Sequence, residues 1–385
     1  MPGGGRSGNR ENRFSPMVTF LHSADWQMGM KASHAGEAGE KVREARLEAA
    51  ERVVALAREE GVDFLLLAGD TFEDNGVEGV LVQRTADVLA RAGRPVYILP
   101  GNHDPLVPGS VWEHPAWREE RGLFVLKERE PLDLGPALLF PCPLREKYGT
   151  SDPTAWIRPG RADKPRLGAA HGSLQALPME DPVFPVPARA AERSGLDYLA
   201  LGHWHSTFLH PSPGGGVRTA YSGTHEPTKF GERESGNVLV VEIEGPGAVP
   251  SLRKIPTGVL SWKTLDRDIR DRAGLDALVG EIEAWEGPEK TLLRVRLEGL
   301  LFPGAESLLD RAEEILEARF LFGRLEAEGL QPSPEDEAWV EALPAGHLRE
   351  AARALLDRAA LPGREGEVAR RALLELYSAA GEVRS

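Results

Sequence analysis

Residues 64–70 read FLLLAGD, five consecutive apolar residues followed by a glycine and an aspartate. A short apolar run without alternation predicts a β-strand that is covered on both faces. Residues 96–99 repeat the pattern, because the apolar run VYIL leads to Gly101, Asn102 and His103. Each run therefore delivers polar side chains at the carboxyl end of a predicted strand, where open α/β sheets usually hold their functional sites.

The residues around these two strands predict a regular alternation of strands and helices. Apolar residues recur on one helix face over 40–60, a segment that ends at Gly61, and a second helix fits 77–92. A strand at 18–22, which leads to Asp25, completes a strand–helix–strand–helix–strand order. That order predicts an α/β layered domain.

Less regular apolar runs predict the remaining strands of this domain, at 137–140, 167–170, 198–201 and 238–243. Two of these runs lead to His171 and to the pair His203 and His205. The Pro-rich segments 151–166 and 176–188 are predicted loops, and residues 245–247 are predicted to close the domain. We expect the strand ends to share one edge of a sheet and so to bring their polar side chains together.

The polar side chains at these strand ends form a candidate metal-ligand set. It consists of Asp25, Gln27, Asp70, Asn102, His171, His203 and His205. Hydrolysis of a phosphate ester requires a nucleophile at neutral pH, neutralised phosphoryl oxygens and a stabilised leaving oxygen, and two divalent cations about 3.5–4 Å apart supply all three. Carboxylate, amide and imidazole donors without a thiolate favour Mn²⁺, Fe or Zn²⁺ over Ca²⁺.

The chemistry of individual side chains predicts their roles. The carboxylate of Asp70 is the best candidate for bridging two cations, and the carbonyl of Asn102 can bind a cation without adding charge. His203 and His205 are two residues apart, so both face the same side of an extended segment. His103 is a candidate for protonating the leaving oxygen or binding the phosphate.

The composition limits the classes of protein that fit. A chain of 385 residues exceeds one ordinary core, so at least two domains are expected. The single cysteine, Cys142, allows no internal disulfide and is typical of a cytoplasmic protein. No apolar run reaches the roughly 18 residues of a membrane span, so no membrane association is expected. The net charge of −14 argues against a surface covered with nucleic-acid contacts, although cations bound in a cleft reverse the local sign.

One segment departs from this acidic balance. Between residues 145 and 166 there are six basic and three acidic residues. The basic residues are Arg145, Lys147, Arg158, Arg161, Lys164 and Arg166. They are predicted to form either an ordinary solvated loop or a contact with the phosphate backbone of DNA.

Four segments are predicted along the chain. Residues 1–16 are expected to be a disordered tail rather than a secretion signal, and residues 17–250 form the layered domain. Residues 255–335 are predicted to form a smaller α+β domain, with strands at 262–266, 292–297 and near 320–327 and helices at 275–285 and 306–318. Residues 336–385 are predicted to be helical, with amphipathic helices at 346–360 and 365–380 that pack on the small domain or dock a partner helix.

As an ordered set, the polar blocks resemble those of the calcineurin-like metallophosphoesterase superfamily. Within it, the chain is similar to the SbcD-like DNA repair exonucleases, the nuclease subunits of the SbcCD complex. The motifs that carry this similarity lie at 21–26 (LHSADW), 69–74 (GDTFED) and 221–224 (YSGT). The resemblance covers residues 17–245. It implies a layered α/β metallophosphoesterase sandwich of mixed sheets flanked by helices, followed by a smaller α+β capping domain and C-terminal helices.

The resemblance also implies roles for the site residues. Asp25, Asp70 and His205 would bind the first metal, whereas Asp70, Asn102, His171 and His203 would bind the second, with His103 as the catalytic histidine. It further implies two Mn²⁺ ions, cleavage of DNA ends in DNA repair, a homodimer and an SbcC-like partner ATPase with a long coiled coil.

Gln27 departs from the family pattern, which usually has Asp-x-His in the first block. A glutamine carbonyl is a weaker donor than an imidazole, so we expect the first metal to be held less tightly or to keep an extra water. We interpret Gln27 as a variant ligand, and a site without activity is the alternative. His22 is predicted to be a core or supporting histidine, and His225 a structural or surface one.

Three functions therefore stay open. A DNA exo- or endonuclease of the SbcD type fits the sequences of the motifs and the basic segment. A phosphodiesterase for a small molecule, such as a cyclic nucleotide or a nucleotide, fits the acidic net charge better. A non-catalytic scaffold that binds DNA or a partner is supported by Gln27 alone.

Overall fold

The computed structural model describes residues 17–160, 162–301, 305–332, 338–366, 368–369, 372–373 and 376–377. The chain forms two compact units that divide between Trp262 and Lys263. The predicted tail, residues 1–16, lies outside the described residues, as do parts of the predicted helix 365–380.

The first unit alternates strands and helices along the chain. Its elements are β1 (Val18–Ser23), α1 (Gly39–Glu59), β2 (Phe64–Ala68), α2 (Gly79–Ala90), β3 (Val96–Leu99), β4 (Leu123–Val125), β5 (Leu132–Asp133), β6 (Leu138–Pro141), β7 (Arg166–His171), α3 (Ala190–Ser194), β8 (Tyr198–Gly202), β9 (Phe208–Pro211), β10 (Val217–Tyr221), β11 (Asn237–Ile243) and β12 (Ser251–Pro256). Short 3-10 helices lie at Ser33–Ala38, Val111–Glu113 and Glu119–Arg121. The strands predicted at 64–68 and 96–99 are confirmed residue for residue.

These strands form two six-stranded mixed sheets. The first has the order β12-β11-β1-β2-β3-β4, in which β1 to β4 are parallel and β11 is antiparallel to both of its neighbours. The second has the order β5-β6-β7-β8-β10-β9, in which the four central strands are parallel and the two edge strands antiparallel.

The two sheets pack face to face around a shared apolar core. Strand β2 shows how the sequence produces this arrangement: Phe64, Leu66 and Ala68 belong to the core between the sheets, whereas Leu65 and Leu67 pack with α1 and α2. The short helix α3 and neighbouring loops cover the outer face of the second sheet. The result is an α/β/β/α sandwich, which confirms the predicted fold class.

The expectation that all strand ends share one sheet edge is wrong. Four of the seven candidate ligands follow β1, β2 and β3 of the first sheet, and the other three lie at the ends of β7 and β8 of the second sheet. The periodicity of a strand shows that both of its faces are covered, but it does not show which sheet the strand joins.

Strand β12 was not predicted. Residues 245–247 were expected to close the domain, yet β12 pairs with β11 and extends the first sheet beyond them. Four of its six residues are exposed, including Arg253 and Lys254, and only Leu252 and Ile255 are half-buried, so it lacks the apolar run that marked the other strands. The first unit consequently ends at Trp262, beyond the expected boundary at 250.

The second unit contains β13 (Ser261–Ile269), which begins just before the division, and then α4 (Arg272–Glu283), β14 (Thr291–Leu301), α5 (Glu306–Arg319), β15 (Phe322–Pro332), α6 (Ala338–Ala342) and α7 (His347–Ala359). The three strands form one sheet in the order β13-β14-β15, and α5 connects the parallel pair β14 and β15. Apolar residues of β13, β14, α4 and α5 form its core. A separate cluster joins α6 and α7 through Trp339, Val340, Leu343 and Ala352.

Truncation of Leu66 should destabilise the first unit. Its side chain is completely buried between the two sheets, so Leu66→Ala should lower the free energy of unfolding by about 2–5 kcal/mol. Urea unfolding followed by tryptophan fluorescence measures this change. Val80→Ala is the control, because Val80 is 71% exposed and should change stability by less than about 0.5 kcal/mol. Equal effects of the two substitutions would contradict the assignment of the core.

Candidate metal centre

Asp25 lies in the turn that follows β1. Its amide donates to the carbonyl of Gly69 at 3.1 Å, and both of its carboxylate oxygens accept from the amide of His203, at 2.9 and 3.1 Å. The amide of Gln27 donates to the carbonyl of Asp70 at 2.9 Å. The two backbone bonds fix the segments after β1 and β2 of the first sheet, and the Asp25 carboxylate joins them to the segment after β8 of the second sheet.

Asp70 lies directly beyond β2 and supports the loop that follows β3. Its Oδ1 accepts from the amide of His103 at 2.9 Å. Behind this contact, the completely buried Asp104 accepts from the amides of Gly101 at 2.7 Å and Phe72 at 2.9 Å. These bonds hold residues 101–104 against residues 70–72, so that Asn102 and His103 reach the centre.

His171 is surrounded by oxygen atoms at the end of β7. Its Nδ1 lies 2.9 Å from the carbonyl oxygen of Ala68, and its Nε2 lies 2.9 Å from Oδ1 of Asn102 and 3.2 Å from Oδ2 of Asp70. Because a carbonyl oxygen only accepts, Nδ1 carries a proton, and in the neutral ring the lone pair of Nε2 faces two further acceptors. Such a group of donors fits a cation, and the hydrogen bond from Nδ1 to the backbone is the usual support of a metal-binding histidine.

The pKa values at the centre reflect this crowding of charge. Burial would lower the pKa of His171, but the Asp70 carboxylate raises it to about 9. Burial opposes ionisation of Asp70, yet His171 holds the pKa of that carboxyl well below its usual range. Burial also raises the pKa of Asp25 to about 6. A proton on His171 therefore balances part of the carboxylate charge, and a divalent cation is suited to the same task.

The two remaining histidines follow β8. The ring of His203 lies 5.4 Å from that of His171, and burial lowers the pKa of His203 to about 3, which favours the neutral form that metals bind. Nδ1 of His205 lies 2.7 Å from the Glu232 carboxylate and 3.1 Å from Oγ1 of Thr228. Burial would lower the pKa of His205, but the hydrogen bond with Glu232 raises it. This contact orients the ring and leaves its Nε2 for a ligand.

Three glycines permit the close approach of the backbone at the centre. A Cβ on Gly202 would lie 2.0 Å from the carbonyl oxygen of Ala68, one on Gly69 would lie 2.1 Å from Nδ1 of His171, and one on Gly101 would lie 2.2 Å from Oδ1 of Asp70. Among the three, only Gly69 has a positive φ, of 97°. The absence of a Cβ therefore explains why glycine occupies all three positions, and the positive φ is a further reason at Gly69.

Backbone strain is concentrated at the same place. Among the described residues, seven that are not glycine have a positive φ, and four of these are candidate ligands. They are Asp25, Gln27, Asp70 and His203, with φ of 54°, 41°, 52° and 109°. Such conformations cost energy and persist where the surroundings enforce them, which is typical of functional sites.

The structure thus brings the predicted ligands together. Donor atoms of Asp25, Asp70 and His171 lie within 4.8 Å of one another, Asn102 contacts His171, and His203 contacts Asp25. Burial raises the pKa of the Asp25 carboxyl, and His171 and His205 oppose that increase. Gln27 lies beside Asp70 through its backbone, and coordination by its side chain stays a prediction.

The family model of calcineurin-like phosphoesterases matches residues 18–207, the part of the chain that contains every candidate ligand. Residues 18–207 are therefore similar to calcineurin-like phosphoesterases. This family typically binds divalent metals, and the donor cluster described above is the candidate site for them.

A curated relative carries the same family name. The chain is similar to the uncharacterized metallophosphoesterase YhaO of Bacillus subtilis (strain 168), with 28% identity over 206 residues, which are 49% of this chain and 48% of that protein. The chain therefore matches about half the length of this curated relative. Among solved structures, it is similar to TT1561 of Thermus thermophilus (12% identity, TM-score 0.38, 63% of this chain and 99% of that one) and to a 5'-nucleotidase precursor from the same organism (14% identity, TM-score 0.35, 62% and 54%).

His103 is half-buried in the loop after β3, within the segment that matches the family model. Its Nδ1 lies 2.8 Å from the carbonyl oxygen of Glu73 and therefore carries a proton, so Nε2 is the nitrogen left for proton transfer. Two other histidines are structural, as predicted. His22 is buried with its Nδ1 2.9 Å from the hydroxyl of Tyr198, and His225 is buried and stacks on Trp26.

The basic segment does not form one surface. Leu144, which precedes Arg145, donates to the carbonyl of Pro100, so Arg145 and Lys147 lie at the end of the second sheet that carries His171. Lys164 and Arg166 lie at the opposite end of β7, and the six residues of that strand span roughly 17 Å. Arg158 belongs to the far end as well, because its carbonyl accepts from Arg166, and Arg161 lies outside the described residues.

Arg166, one of the six predicted DNA contacts, lies largely inside the protein. Its guanidinium is buried against the ring of Phe140 and donates to the carbonyls of Gly195, Arg158 and Ser194. Nε and Nη2 of the guanidinium therefore donate inside the protein, and the DNA contact by this residue stays a prediction. Lys164 forms an ion pair with Asp133 at 2.7 Å, on the same remote end of the sheet.

Three residues that support the centre were not predicted from the sequence. Asp104 buttresses the loop after β3, Glu232 orients His205, and Arg46 donates to the carbonyls of Asp25 and Trp26. A signal existed for Arg46, because it stands among the apolar residues on the buried face of α1. Glu232 had no such signal, since it lies in a loop with no periodic pattern.

Among the described residues, no helix combines the length and the apolar character that crossing a membrane requires.

Substitution of Gly101 should weaken metal binding. In Gly101→Ala the new Cβ would lie 2.2 Å from Oδ1 and 2.4 Å from the amide nitrogen of Asp70, so that ligand must shift. We expect at least a roughly 10-fold loss of Mn²⁺ affinity, the usual scale for disturbing the support of a ligand, measured by calorimetric titration. Gly214→Ala is the matched control, because no atom lies within 4 Å of its added Cβ. A folded Gly101→Ala protein with unchanged affinity would contradict the proposed packing.

Proposed function

We propose that this chain is a two-metal phosphodiesterase that cleaves DNA as an SbcD-type exo- or endonuclease in DNA repair. The phosphodiesterase part rests above all on Nε2 of His171, which lies 2.9 Å from Oδ1 of Asn102 and 3.2 Å from Oδ2 of Asp70. An imidazole, an amide carbonyl and a carboxylate that converge in this way are suited to a divalent cation. The proposal that DNA is the substrate rests on the surface around the centre and on the motifs similar to those of SbcD-like nucleases.

The proposed ligands divide between two cations. Asp25, Asp70 and His205, with Gln27 as a weaker oxygen donor, would hold the first, and Asp70, Asn102, His171 and His203 would hold the second. Because the set contains imidazoles and hard oxygens but no thiolate, we propose Mn²⁺, with Fe or Zn²⁺ as alternatives. When bound, such cations neutralise phosphoryl oxygens and lower the pKa of water.

The remaining chemistry falls to residues of the chain itself. His103 is held by its backbone amide on Asp70 and by its Nδ1 on the carbonyl of Glu73. With the ring fixed in this way, a proton on Nε2 can pass to the leaving oxygen, which is the role of a general acid. Asp104 keeps this loop in place through the amides of Gly101 and Phe72.

The surface near the centre supports a nucleic-acid substrate. Residues 145–148 follow Leu144, which is bonded to Pro100, and precede Gly149, whose carbonyl accepts from Phe184 at 2.7 Å. Tyr148 is 70% exposed and is the one exposed aromatic side chain among the described residues. Nζ of Lys147 lies 5.9 Å from its ring centre. An exposed ring beside a cation is suited to stacking on a base while the cation contacts a phosphate.

A small-molecule phosphodiesterase is the second candidate. The net charge of −14 favours it, because a strongly acidic protein attracts a long polyanion less well than a compact nucleotide. The resemblance to SbcD-like nucleases further supports a homodimer and a coiled-coil ATPase as partners of this chain, and these partners belong to the proposal.

The purified protein should degrade linear DNA when Mn²⁺ is present and lose that activity when the metal is chelated. Single-stranded and double-stranded DNA are assayed on gels beside bis-p-nitrophenyl phosphate, a small diester that needs the same chemistry. Cleavage of the small diester with every DNA substrate left intact would favour the small-molecule function. Absence of bound metal and of both activities would contradict the phosphodiesterase proposal itself.

Loss of the Lys147 charge should weaken DNA binding without affecting the metal centre. Lys147→Ala should weaken DNA binding and reduce the slope of log affinity against log salt by about 0.9 if it contacts one duplex phosphate. Binding is measured by fluorescence anisotropy at several salt concentrations, and turnover of bis-p-nitrophenyl phosphate should be unchanged. Lys164→Ala is the matched control, because Lys164 lies at the far end of β7 in an ion pair with Asp133. Equal effects of the two substitutions would count against a DNA path over residues 145–148.

A further inference from the structure

Arg46 is a charged residue in the interior of the first unit. It lies on α1 among the buried residues Val42, Ala45 and Ala49, and it is only 1% exposed. Burying a guanidinium is costly unless its donors are satisfied, so its partners indicate what its position achieves. All of the partners described below are backbone carbonyls or a hydroxyl.

One side of the guanidinium holds the turn after β1. Nε donates to the carbonyl of Trp26 at 3.0 Å, and Nη2 donates to the same carbonyl and to that of Asp25 at 3.3 Å. This is the turn in which Asp25 and Gln27 have positive φ. Arg46 therefore stabilises a strained backbone that presents a candidate ligand.

The other side of the guanidinium holds residues 224–227. Nη1 donates to the carbonyls of Glu226 at 3.0 Å and Pro227 at 3.4 Å, and Nη2 donates to Oγ1 of Thr224 at 3.3 Å. The amide of Thr224 in turn donates to the carbonyl of His205 at 2.9 Å. One side chain thus connects the backbone of Asp25 to the segment that carries the backbone of His205.

The side chain of His205 depends on the same region. Its Nδ1 lies 2.7 Å from Glu232, and Glu232 also accepts from the amide of Thr228 at 2.8 Å, directly after Pro227. The bonds of Arg46 consequently fix both the main chain of His205 and the carboxylate of Glu232, which orients the His205 ring. None of the bonds just described reaches Asn102, His171 or His203.

The guanidinium also keeps its charge in this position. Burial lowers the pKa of Arg46 to about 10, and the carboxylates of Glu226, Glu232, Glu73 and Asp25 oppose that decrease. A residue charged at neutral pH can donate through all of its N–H groups. A lysine at this position would keep the charge but would lose the planar fork that reaches both segments.

We propose that Arg46 is a positioning residue for the first metal: it fixes Asp25 and His205 at the separation that this cation requires and acts little on the second metal. The inference rests on the two-metal site of the proposed function. It predicts an unequal effect, because Asp25 and His205 belong to the first set whereas Asn102, His171 and His203 belong to the second.

The test is a Mn²⁺ titration of Arg46→Met and Arg46→Lys, followed by calorimetry and by the paramagnetic resonance signal of free Mn²⁺. The unmodified protein should bind two equivalents. In both variants one equivalent should weaken by about 10- to 100-fold, the usual scale for losing the support of a ligand, while the other stays within about threefold. Arg46→Lys should be the less affected variant and is the one to use if Arg46→Met does not fold, as judged by circular dichroism and thermal unfolding.

Arg58→Met is the matched control, because Arg58 lies on the same helix and donates to the carbonyl of Arg91 from an exposed position. It should leave both equivalents unchanged. A folded Arg46 variant that keeps both affinities, or that loses both equally, would overturn the inference and leave Arg46 with a general structural role. If the unmodified protein binds no metal, the two-metal proposal itself fails, and that result is distinct from either outcome for Arg46.

Discussion

The candidate metal centre depends on how closely the two sheets approach at the carboxyl ends of their strands. At Gly202 the backbone of β8 passes so near to β2 that an added Cβ would lie 2.0 Å from the carbonyl oxygen of Ala68. That same carbonyl accepts from His171, whose far nitrogen faces Asn102 and Asp70. One contact between main chains therefore sets the distance between ligands that lie far apart in sequence.

The close approach of the two sheets also buries carboxylates and imidazoles together. The rest of the structure must therefore offset the cost of removing these groups from water. Asp25, Asp70 and His171 are each almost fully buried, and desolvation penalises the charged form of every one of them. The strained backbone at Asp25, Gln27, Asp70 and His203 adds to that cost. The rest of the first unit, from the apolar layer between the sheets to the guanidinium of Arg46, offsets this cost and keeps the donors together.

Much of this arrangement could be predicted from the sequence, and the reasons are local. The runs at 64–68 and 96–99 are short, apolar and followed by glycine, so both the strands and the ligands beyond them could be predicted. Strand β12 could not be predicted in this way, because an edge strand with one solvated face carries no apolar run. The spread of the basic segment over both ends of β7 could not be predicted either, since proximity in sequence does not show that a strand of roughly 17 Å separates two groups. Arg46 was missed because a charge on a helix is normally placed on its solvated face.

The unpredicted strand β12 has a consequence for association between molecules. Among the described residues no strand pairs with its outer row of amides and carbonyls, to which a strand from another molecule could add. Arg253 and Lys254 project from this strand and form ion pairs with Glu60 and Glu234 of the same unit. Long charged side chains at the rim of a sheet oppose strand addition, so the border of this sheet is protected against the edge-to-edge growth that leads to aggregates.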